Sequence, residues 1–168
     1  ESFAITENYS YVRASHTLFD DVKITRTAFV FNNGAAYIHD RCESSTHHSY
    51  SQIFNIGPNV DFNYDENGNL SLSSNIDDTN LTLKQLNHIS AFATFNGTTN
   101  PIMGWQSTTF NEVSPINAIS YYIDGNDIEF NTVINLENTI TSVDYAVLED
   151  TISYTIEFEN SPEIIIEI

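Results

Sequence analysis

Apolar and polar residues alternate along much of this chain with a period of two. Between Ile152 and Phe158 every second residue is apolar, and shorter runs of the same kind span Leu70 to Ser73 and Leu81 to Lys84. Alternate side chains of a β-strand point to opposite faces of a sheet, so this pattern is typical of strands with one buried and one solvated face. The alternation therefore predicts β-structure.

Further segments rich in β-branched and aromatic residues are separated by turn residues at intervals of about 8 to 12 positions, the spacing of an antiparallel sandwich. They are Phe3 to Val12, Lys23 to Phe31, Ala35 to His39, Tyr50 to Ile56, His88 to Phe95, Ile116 to Tyr122, Ile128 to Leu136, Thr139 to Leu148 and Glu163 to Ile168. We predict an all-β fold, an antiparallel β-sandwich of roughly 10–12 strands with very little helix. Residues 1–168 are expected to form a single domain.

Local features refine this prediction. The best helical signal is one turn around Leu83 to His88, and the tail Glu163 to Ile168 is apolar on both faces, which favours a strand buried between layers over a free edge. Asp65 to Gly68 predicts a hairpin turn, and Asp124 to Asp127 predicts a second hairpin that joins its two flanking strands. Both turns cluster side-chain oxygens, but their spacing does not fit an EF-hand, so turn chemistry is preferred to calcium binding.

The charge balance limits the classes of partner that the chain can bind. The 168 residues include 23 acidic and 5 basic side chains, a net charge of −18, while 40% are hydrophobic and 12% aromatic. Such a chain can bury a core, and its charge opposes binding to nucleic acid or to an anionic membrane. No apolar run reaches the length of about 18 residues that a membrane span needs. The single cysteine, Cys42, is interpreted as a buried structural thiol.

Polar side chains that could carry chemistry are densest between His39 and Tyr50. Adjacent residues of a strand face opposite sides, so His47 and His48 cannot both bind one metal ion from a regular strand. A zinc site would require the intervening turn to fold back, and a hairpin with cross-strand hydrogen bonds is the preferred interpretation. Tyr50, His48 and Arg41 could imitate the base and the cation of an elimination, but no catalytic residue and no metal site is predicted.

Three segments resemble a known family. They are Gly104-Trp105-Gln106-Ser107-Thr108-Thr109-Phe110, Phe130-Asn131-Thr132, and the run from Tyr37 to Ser45 followed by His47-His48 and Gln52 to Ile56. In their order along the chain they resemble the last β-sandwich of heparinase II/III-like polysaccharide lyases, and with the strands around them the resemblance covers most of the chain. In the family pattern Trp105 and Phe110 pin a loop to the sandwich.

The resemblance implies a defined role. Such lyases cleave glycans by β-elimination at a 4-linked uronic acid, with a catalytic Tyr and an Asn or His on a helical toroid and histidines of a His-x-His pattern in an earlier sandwich segment. This chain has no His-x-His, no room for a toroid and no initiator Met, so it is expected to be the C-terminal β-sandwich of a longer enzyme, inactive alone, or a processed chain. It would stabilise the enzyme or wall the substrate cleft, without a cofactor.

The remaining expectations follow from that role. The partners are an acidic or neutral polysaccharide, bound through the full-length enzyme, and the upstream domains of that enzyme; the location is bacterial, extracellular or periplasmic. Candidate substrate-binding residues are Trp105, His47, His48, Arg41 and Tyr50. Trp105 has two interpretations, core packing, which is preferred, and a sugar-stacking platform. The second interpretation of the whole chain is a non-catalytic carbohydrate-binding or surface or virion structural β-sandwich module.

Overall fold

A computed structural model describes residues 1–19, 21–136, 139–149 and 151–168. Throughout this described part the regular structure consists of β-strands, and neighbouring strands pair antiparallel, which confirms the predicted all-β fold. The strands are β1 (Ser2–Ile5), β2 (Tyr9–Phe19), β3 (Val22–Phe31), β4 (Ala35–Ser44), β5 (His48–Ile56), β6 (Val60–Tyr64), β7 (Leu70–Ser74), β8 (Asn80–Gln85), β9 (Ala91–Asn96), β10 (Thr98–Thr99), β11 (Ile102–Met103), β12 (Trp105–Gln106), β13 (Ser114–Pro115), β14 (Asn117–Gly125), β15 (Ile128–Asn135), β16 (Ile140–Leu148), β17 (Thr151–Phe158) and β18 (Ile164–Glu167).

The strands form one large central sheet and two smaller sheets. The central sheet has eight strands in the order β1-β2-β3-β4-β15-β8-β7-β6, and the smaller sheets have the orders β5-β14-β9 and β16-β17-β18. Two further pairs of short strands, β10-β11 and β12-β13, lie in the loop between β9 and β14.

Each of the smaller sheets packs on a different face of the central sheet. The first core lies between the central sheet and β5-β14-β9, and its buried residues include Cys42, Tyr50, Leu70, Ile119, Tyr121 and Phe130. The second core lies between the opposite face and β16-β17-β18, and includes Phe29, Phe31, Tyr37, Val133, Tyr154 and Ile156. The middle strands β3, β4 and β15 therefore contribute to both cores, one from each face.

Aromatic rings dominate the second core. The ring of Phe29 lies 5.0 Å from that of Tyr154 in an edge-to-face arrangement, and Phe31 lies 5.2 Å from Phe158 in the same geometry. A fully buried side chain of this size contributes about 1.5–3 kcal/mol to folding, and an edge-to-face pair adds about 0.5–1.5 kcal/mol. These rings hold β16-β17-β18 to the central sheet.

Two segments of the chain, β4 with β5 and β14 with β15, pass from one sheet into another, and they do so side by side. β4 pairs with β15 in the central sheet, whereas β5 pairs with β14 in the small sheet, so the chain changes sheets at residues 45–47 and again at 126–127. Tyr50 OH donates to Asn126 O at 3.1 Å, and the side chain of Asn126 donates to Ser45 O at 3.2 Å. These bonds form a corner at which strands switch sheets.

The predicted hairpins at both positions are therefore wrong. β14 and β15 are not hydrogen-bonded neighbours, and neither are β4 and β5, because each strand pairs with a partner that bends with it. The turn residues were recognised correctly, but local turn chemistry does not distinguish a hairpin from a corner.

The other local predictions have mixed outcomes. The hairpin at Asp65 to Gly68 is confirmed by the β6-β7 pairing, whereas the helical turn predicted around Leu83 to His88 is wrong, because β8 runs to Gln85. The tail is an edge strand: β18 pairs with β17 alone, Ile166 is buried, and Ile165 is 59% exposed. The preference for a strand buried between layers over a free edge is thus wrong for the described residues.

Gly68 offers a test of the first core. Its φ is +77°, and a Cβ atom there would lie 2.8 Å from the Phe92 ring, whereas a Cβ at Gly57 would meet nothing nearer than 3.9 Å. We expect Gly68→Ala to lower the free energy of unfolding by about 1–3 kcal/mol through strain and overpacking, and Gly57→Ala to lower it by less than about 1 kcal/mol. Urea denaturation of both variants measures this, and equal midpoints would contradict the packing described.

Candidate functional site

A chain of polar side chains crosses the first core. The Asp40 carboxylate accepts two hydrogen bonds from the Arg26 guanidinium, both at 2.6 Å, and a third from Gln52 Nε2 at 2.9 Å. Arg26 and Asp40 are cross-strand partners on β3 and β4, so their side chains lie on the same face of the sheet. Asp40 is buried, while the Arg26 side chain is 56% exposed. The pair thus joins the core to the surface.

The series of hydrogen-bonded side chains continues through two glutamines and a threonine. Gln52 Oε1 accepts hydrogen bonds from Gln85 Nε2 and Thr132 Oγ1, both at 2.8 Å, and Gln85 Nε2 also lies 2.9 Å from Thr132 Oγ1. Buried polar groups of this kind fix the register of the layers, because any other alignment would leave them unpaired. We name Arg26, Asp40, Gln52, Gln85 and Thr132 the polar ladder.

The exposed end of the polar ladder opens into a groove between β5 and the face of β2 and β3. The groove has a volume of about 1080 Å³. Val22 and Ile24 contribute apolar surface to it, Arg26 contributes its guanidinium, and His16 and His48 lie along it. This combination of apolar walls and a few polar groups is typical of binding surfaces.

A second polar cluster occupies the opposite face of the central sheet. His39 Nδ1 lies 3.0 Å from Tyr154 OH, and His39 Nε2 lies 3.5 Å from Glu129 Oε2 without a hydrogen-bond partner of its own. Tyr145 OH donates to the Glu129 carboxylate. The cluster therefore connects β4 and β15 of the central sheet with β16 and β17 of the covering sheet.

The electrostatics of this cluster favour an ionised carboxylate. The adjacent His39 ring and the Tyr145 hydroxyl hold the pKa of Glu129 below its ordinary value of 4.5. Burial, together with the neighbouring Glu129 carboxylate, raises the pKa of Tyr145 to about 12. Tyr145 therefore remains a protonated donor at neutral pH, which does not suit a general base.

His48 lies in a third, exposed cluster that resembles a catalytic triad only in composition. Asp21 Oδ1 and Ser44 Oγ each lie 3.1 Å from His48 Nε2, and Thr46 Oγ1 lies 2.9 Å from the same nitrogen. A triad needs the carboxylate at one ring nitrogen and the nucleophile at the other. The hydroxyls of Ser44 and Thr46, and then His48, hold the pKa of Asp21 well below its usual range. The cluster stabilises a turn.

The structure does not bring the predicted site residues together. His48 and Tyr50 line the groove, Arg41 lies on the opposite face of the central sheet, and His47 is exposed at the corner. Tyr50 is buried and its hydroxyl donates to Asn126 O, and burial raises its pKa. Tyr50, His48 and Arg41 therefore cannot act on one bond, and their contact with a substrate stays a prediction.

Trp105 anchors the loop between β9 and β14. It is half-buried, belongs to neither core, and donates from Nε1 to Thr98 O at 2.8 Å. Gly104 closes the loop base, since its carbonyl accepts from Gly97 N at 2.9 Å and from Ile116 N at 2.8 Å. The prediction that Phe110 pins this loop is wrong, because Phe110 is 90% exposed.

Metal sites and membrane helices are absent from the described residues. No group of three or more His, Cys, Asp or Glu side chains there could hold a metal ion, and no helix among them could cross a membrane. The Asp65 carboxylate accepts hydrogen bonds from the backbone amides of Asn67 and Asn69, both at 2.9 Å, as expected for a turn.

The polar ladder and the His39 cluster went unrecognised in the sequence, although a partial signal exists. Gln52 occupies the same strand phase as Tyr50 and Phe54, and Thr132 the same phase as Phe130 and Ile134. A polar residue in the inward phase of an apolar strand indicates a buried hydrogen-bonding partner. The identity of that partner depends on strand pairing between residues far apart in the chain.

Solved structures share this fold. Heparan sulfate lyase HepC from Pedobacter heparinus, studied as a mutant, matches 99% of this chain with a TM-score of 0.73 and 11% identity. A structure described as a heparinase III gene product matches 100% of the chain with a TM-score of 0.77 and 12% identity. A further heparinase III matches 99% with a TM-score of 0.69 and 12% identity.

This chain has the fold of a heparinase III β-sandwich. The match is to part of those proteins, since the chain spans about 27% of the length of each of these three structures. No protein-family model matches the sequence, and no curated protein matches it significantly. The resemblance seen in the sequence is thus confirmed at the level of the fold.

The Glu129 carboxylate predicts acid sensitivity. A group whose pKa is lowered by folding stabilises the protein above its unfolded pKa and loses that contribution as pH falls through the folded value. We expect Glu129→Gln to lower the free energy of unfolding by about 1–3 kcal/mol at pH 7, with the difference from wild type shrinking below the ordinary glutamate value of 4.5. Denaturant unfolding of both proteins at several pH values from neutral to acid measures this difference, and Glu43→Gln is the control. A difference in the free energy of unfolding that stays constant with pH would contradict the role assigned to Glu129.

The half-burial of Trp105 predicts an intermediate stability effect. Core tryptophans lose about 3–5 kcal/mol on truncation, and we expect Trp105→Ala to lose less than that, about 1–3 kcal/mol, because part of the ring is already solvated. Thermal unfolding checks the value, and wild-type fluorescence should show partial quenching by acrylamide. A loss at the core value together with an unquenched emission would show that the ring is fully buried.

Proposed function

We propose that this chain is the β-sandwich domain of a bacterial heparinase II/III-like polysaccharide lyase and that it has a structural or cleft-forming role. The observation that carries the proposal is the fold match, which takes in 97–100% of this chain but 26–27% of the solved heparinase structures. In such an enzyme the domain would stabilise the assembly and wall the substrate cleft, while residues outside this chain perform the β-elimination. An extracellular or periplasmic location belongs to the same proposal.

The geometry supports a non-catalytic role. β-Elimination needs a base within reach of the proton that it removes and a group that stabilises the developing negative charge. The strongest candidates for a base, Tyr50 and Tyr145, have raised pKa values and donate their hydroxyls to other groups. The guanidinium of Arg26 is occupied by Asp40.

The charge of the chain limits which glycan the cleft would hold. The sequence contains 23 acidic and 5 basic side chains. With a net charge of −18, the chain repels strongly anionic glycans at long range, so a weakly charged or neutral glycan, or cationic groups from other domains, fits this surface better.

We expect the isolated chain to have no lyase activity. Incubation with heparan sulfate, alginate and hyaluronan should form no unsaturated uronate above the buffer blank, as followed by ultraviolet absorbance, because the described residues include no assembled base and anion-stabilising group. Heparinase III is the positive control. Turnover by this chain that is lost in Tyr50→Phe would contradict the non-catalytic role.

The reading frame of the encoding gene tests the wider proposal. The protein produced from the complete frame should contain a further region and should eliminate uronate from at least one of the three glycans. A complete frame whose product forms only this sandwich, and which binds none of the glycans by calorimetry, would overturn the proposed function.

A further inference from the structure

One side of the central sheet is left open. The small sheet β5-β14-β9 sits above β4, β15, β8 and β7, as shown by the hydrogen bonds of Gln52 to Asp40 on β4 and Thr132 on β15. Beyond β5 the corresponding face of β2 and β1, and of β3 at Val30, stays exposed, whereas Val22 on β3 is buried in the first core. The uncovered surface, here the open face, is formed by Phe3, Ile5, Val12, Leu18, Phe19 and Val30, which are 52% to 82% exposed.

The open face contains two adjacent rows rich in apolar residues, and Leu18 and Phe19 lie apart from these rows, beyond Ala14 and His16. Strand pairing places Phe3 beside Val12 and Val12 beside Ala28, while Val30 lies beside Ser10, which in turn lies beside Ile5. Side chains of paired residues share a face, so these contacts form rows across three strands. Contiguous apolar surface of this kind marks an interaction site in soluble proteins.

Strand β5 has unpaired backbone hydrogen-bonding groups next to the open face. It pairs with β14 on one side and is the edge of its sheet on the other. Alternate residues among its nine, from His48 to Ile56, direct their backbone N–H and C=O groups away from β14, and the segment contains no Pro, Lys or carboxylate. Edge strands that stay unpaired are normally protected by such residues.

A single added β-strand would pair with the edge of β5 and cover part of the open face. The groove of about 1080 Å³ lies between β5 and the face of β2 and β3. A β-strand placed there would pair with the β5 backbone, and every second side chain would point down onto Leu18 and Phe19 of the open face and onto Val22 and Ile24, which line the groove. We propose that this site binds an extended polypeptide segment, apolar at alternate positions and free of acidic side chains, which adds a fourth strand to β5-β14-β9.

The charges define the segment further. The chain has a net charge of −18, yet the open face contains no carboxylate. Of the two carboxylates that line the groove, Asp40 is paired with Arg26, and Asp21 accepts hydrogen bonds from Ser44 and Thr46. An uncharged strand therefore meets no unpaired charge, whereas a carboxylate on the segment would be repelled by the surrounding protein.

A second copy of this chain does not fit the site. Pairing β5 with β5 about a twofold axis perpendicular to the sheet would place the central sheets of both copies on the same side. Because each central sheet extends past β5 by the strands β3, β2 and β1, the two extensions would occupy the same space. The mutual repulsion of two chains of charge −18 also opposes this arrangement.

The test uses the full chain, immobilised, and a phage library of random nonapeptides as the probe. Enriched peptides should alternate apolar and polar residues and lack acidic side chains. A synthetic copy of the most enriched peptide should protect amides of residues 48–56 from hydrogen exchange. No enrichment, or protection elsewhere, would overturn the proposal.

Matched variants decide whether the open face contributes. Leu18 lines the groove and is 82% exposed, and Ile102 on β11 is 81% exposed, so Leu18→Asp and Ile102→Asp both change exposed positions. We expect Leu18→Asp to weaken peptide binding by about tenfold or more, because it places a charge against an apolar contact, and Ile102→Asp to leave it unchanged. Equal binding by the two variants would overturn the proposal, as would a wild-type dimer in sedimentation that Leu18→Asp makes monomeric, since the occupant would then be a second copy.

Discussion

The rest of the fold depends on the burial of both faces of β3, β4 and β15. A strand that is covered on both sides cannot alternate simply between apolar and polar residues, because neighbouring side chains enter different cores. On β4, Tyr37 enters the second core and Cys42 the first. Each small sheet in turn is held by its contacts with these three strands, so the central strands couple two layers that lie on opposite faces of the central sheet.

This constraint explains how polar residues are distributed along β4. His39 and Asp40 are adjacent in the sequence and both buried, yet they belong to separate hydrogen-bonding networks on opposite faces of the sheet. A buried polar group is tolerated only when it is paired. Asp40 is paired with Arg26 across β3, and His39 with Tyr154 from the covering sheet. Each network therefore aligns a different layer with the central sheet.

The sequence predicted the class of fold well and the pairing of strands less well. Alternation and turn residues located β3, β5, β7 and β15 to within a few residues, because these signals are local. The corners at residues 45–47 and 126–127 were interpreted as hairpins, because the turn residues at a corner are the same as those in a hairpin. The difference lies in which strand is the hydrogen-bonding partner, and β4 and β15 are separated by more than eighty positions in the numbering.

The composition of the candidate site also depends on strand pairing that local sequence signals do not specify. His48, Tyr50 and Arg41 are close in sequence and were grouped for that reason, but strand alternation places Arg41 on the face opposite the groove. Arg26 and Gln52, which do meet at Asp40, are separated by 26 positions in the numbering and come from different sheets. Their contact arises because β5 lies above β4 after the corner. The same geometry leaves the edge of β5 and the face of β2 side by side, so the corner that completes the first core also creates the groove.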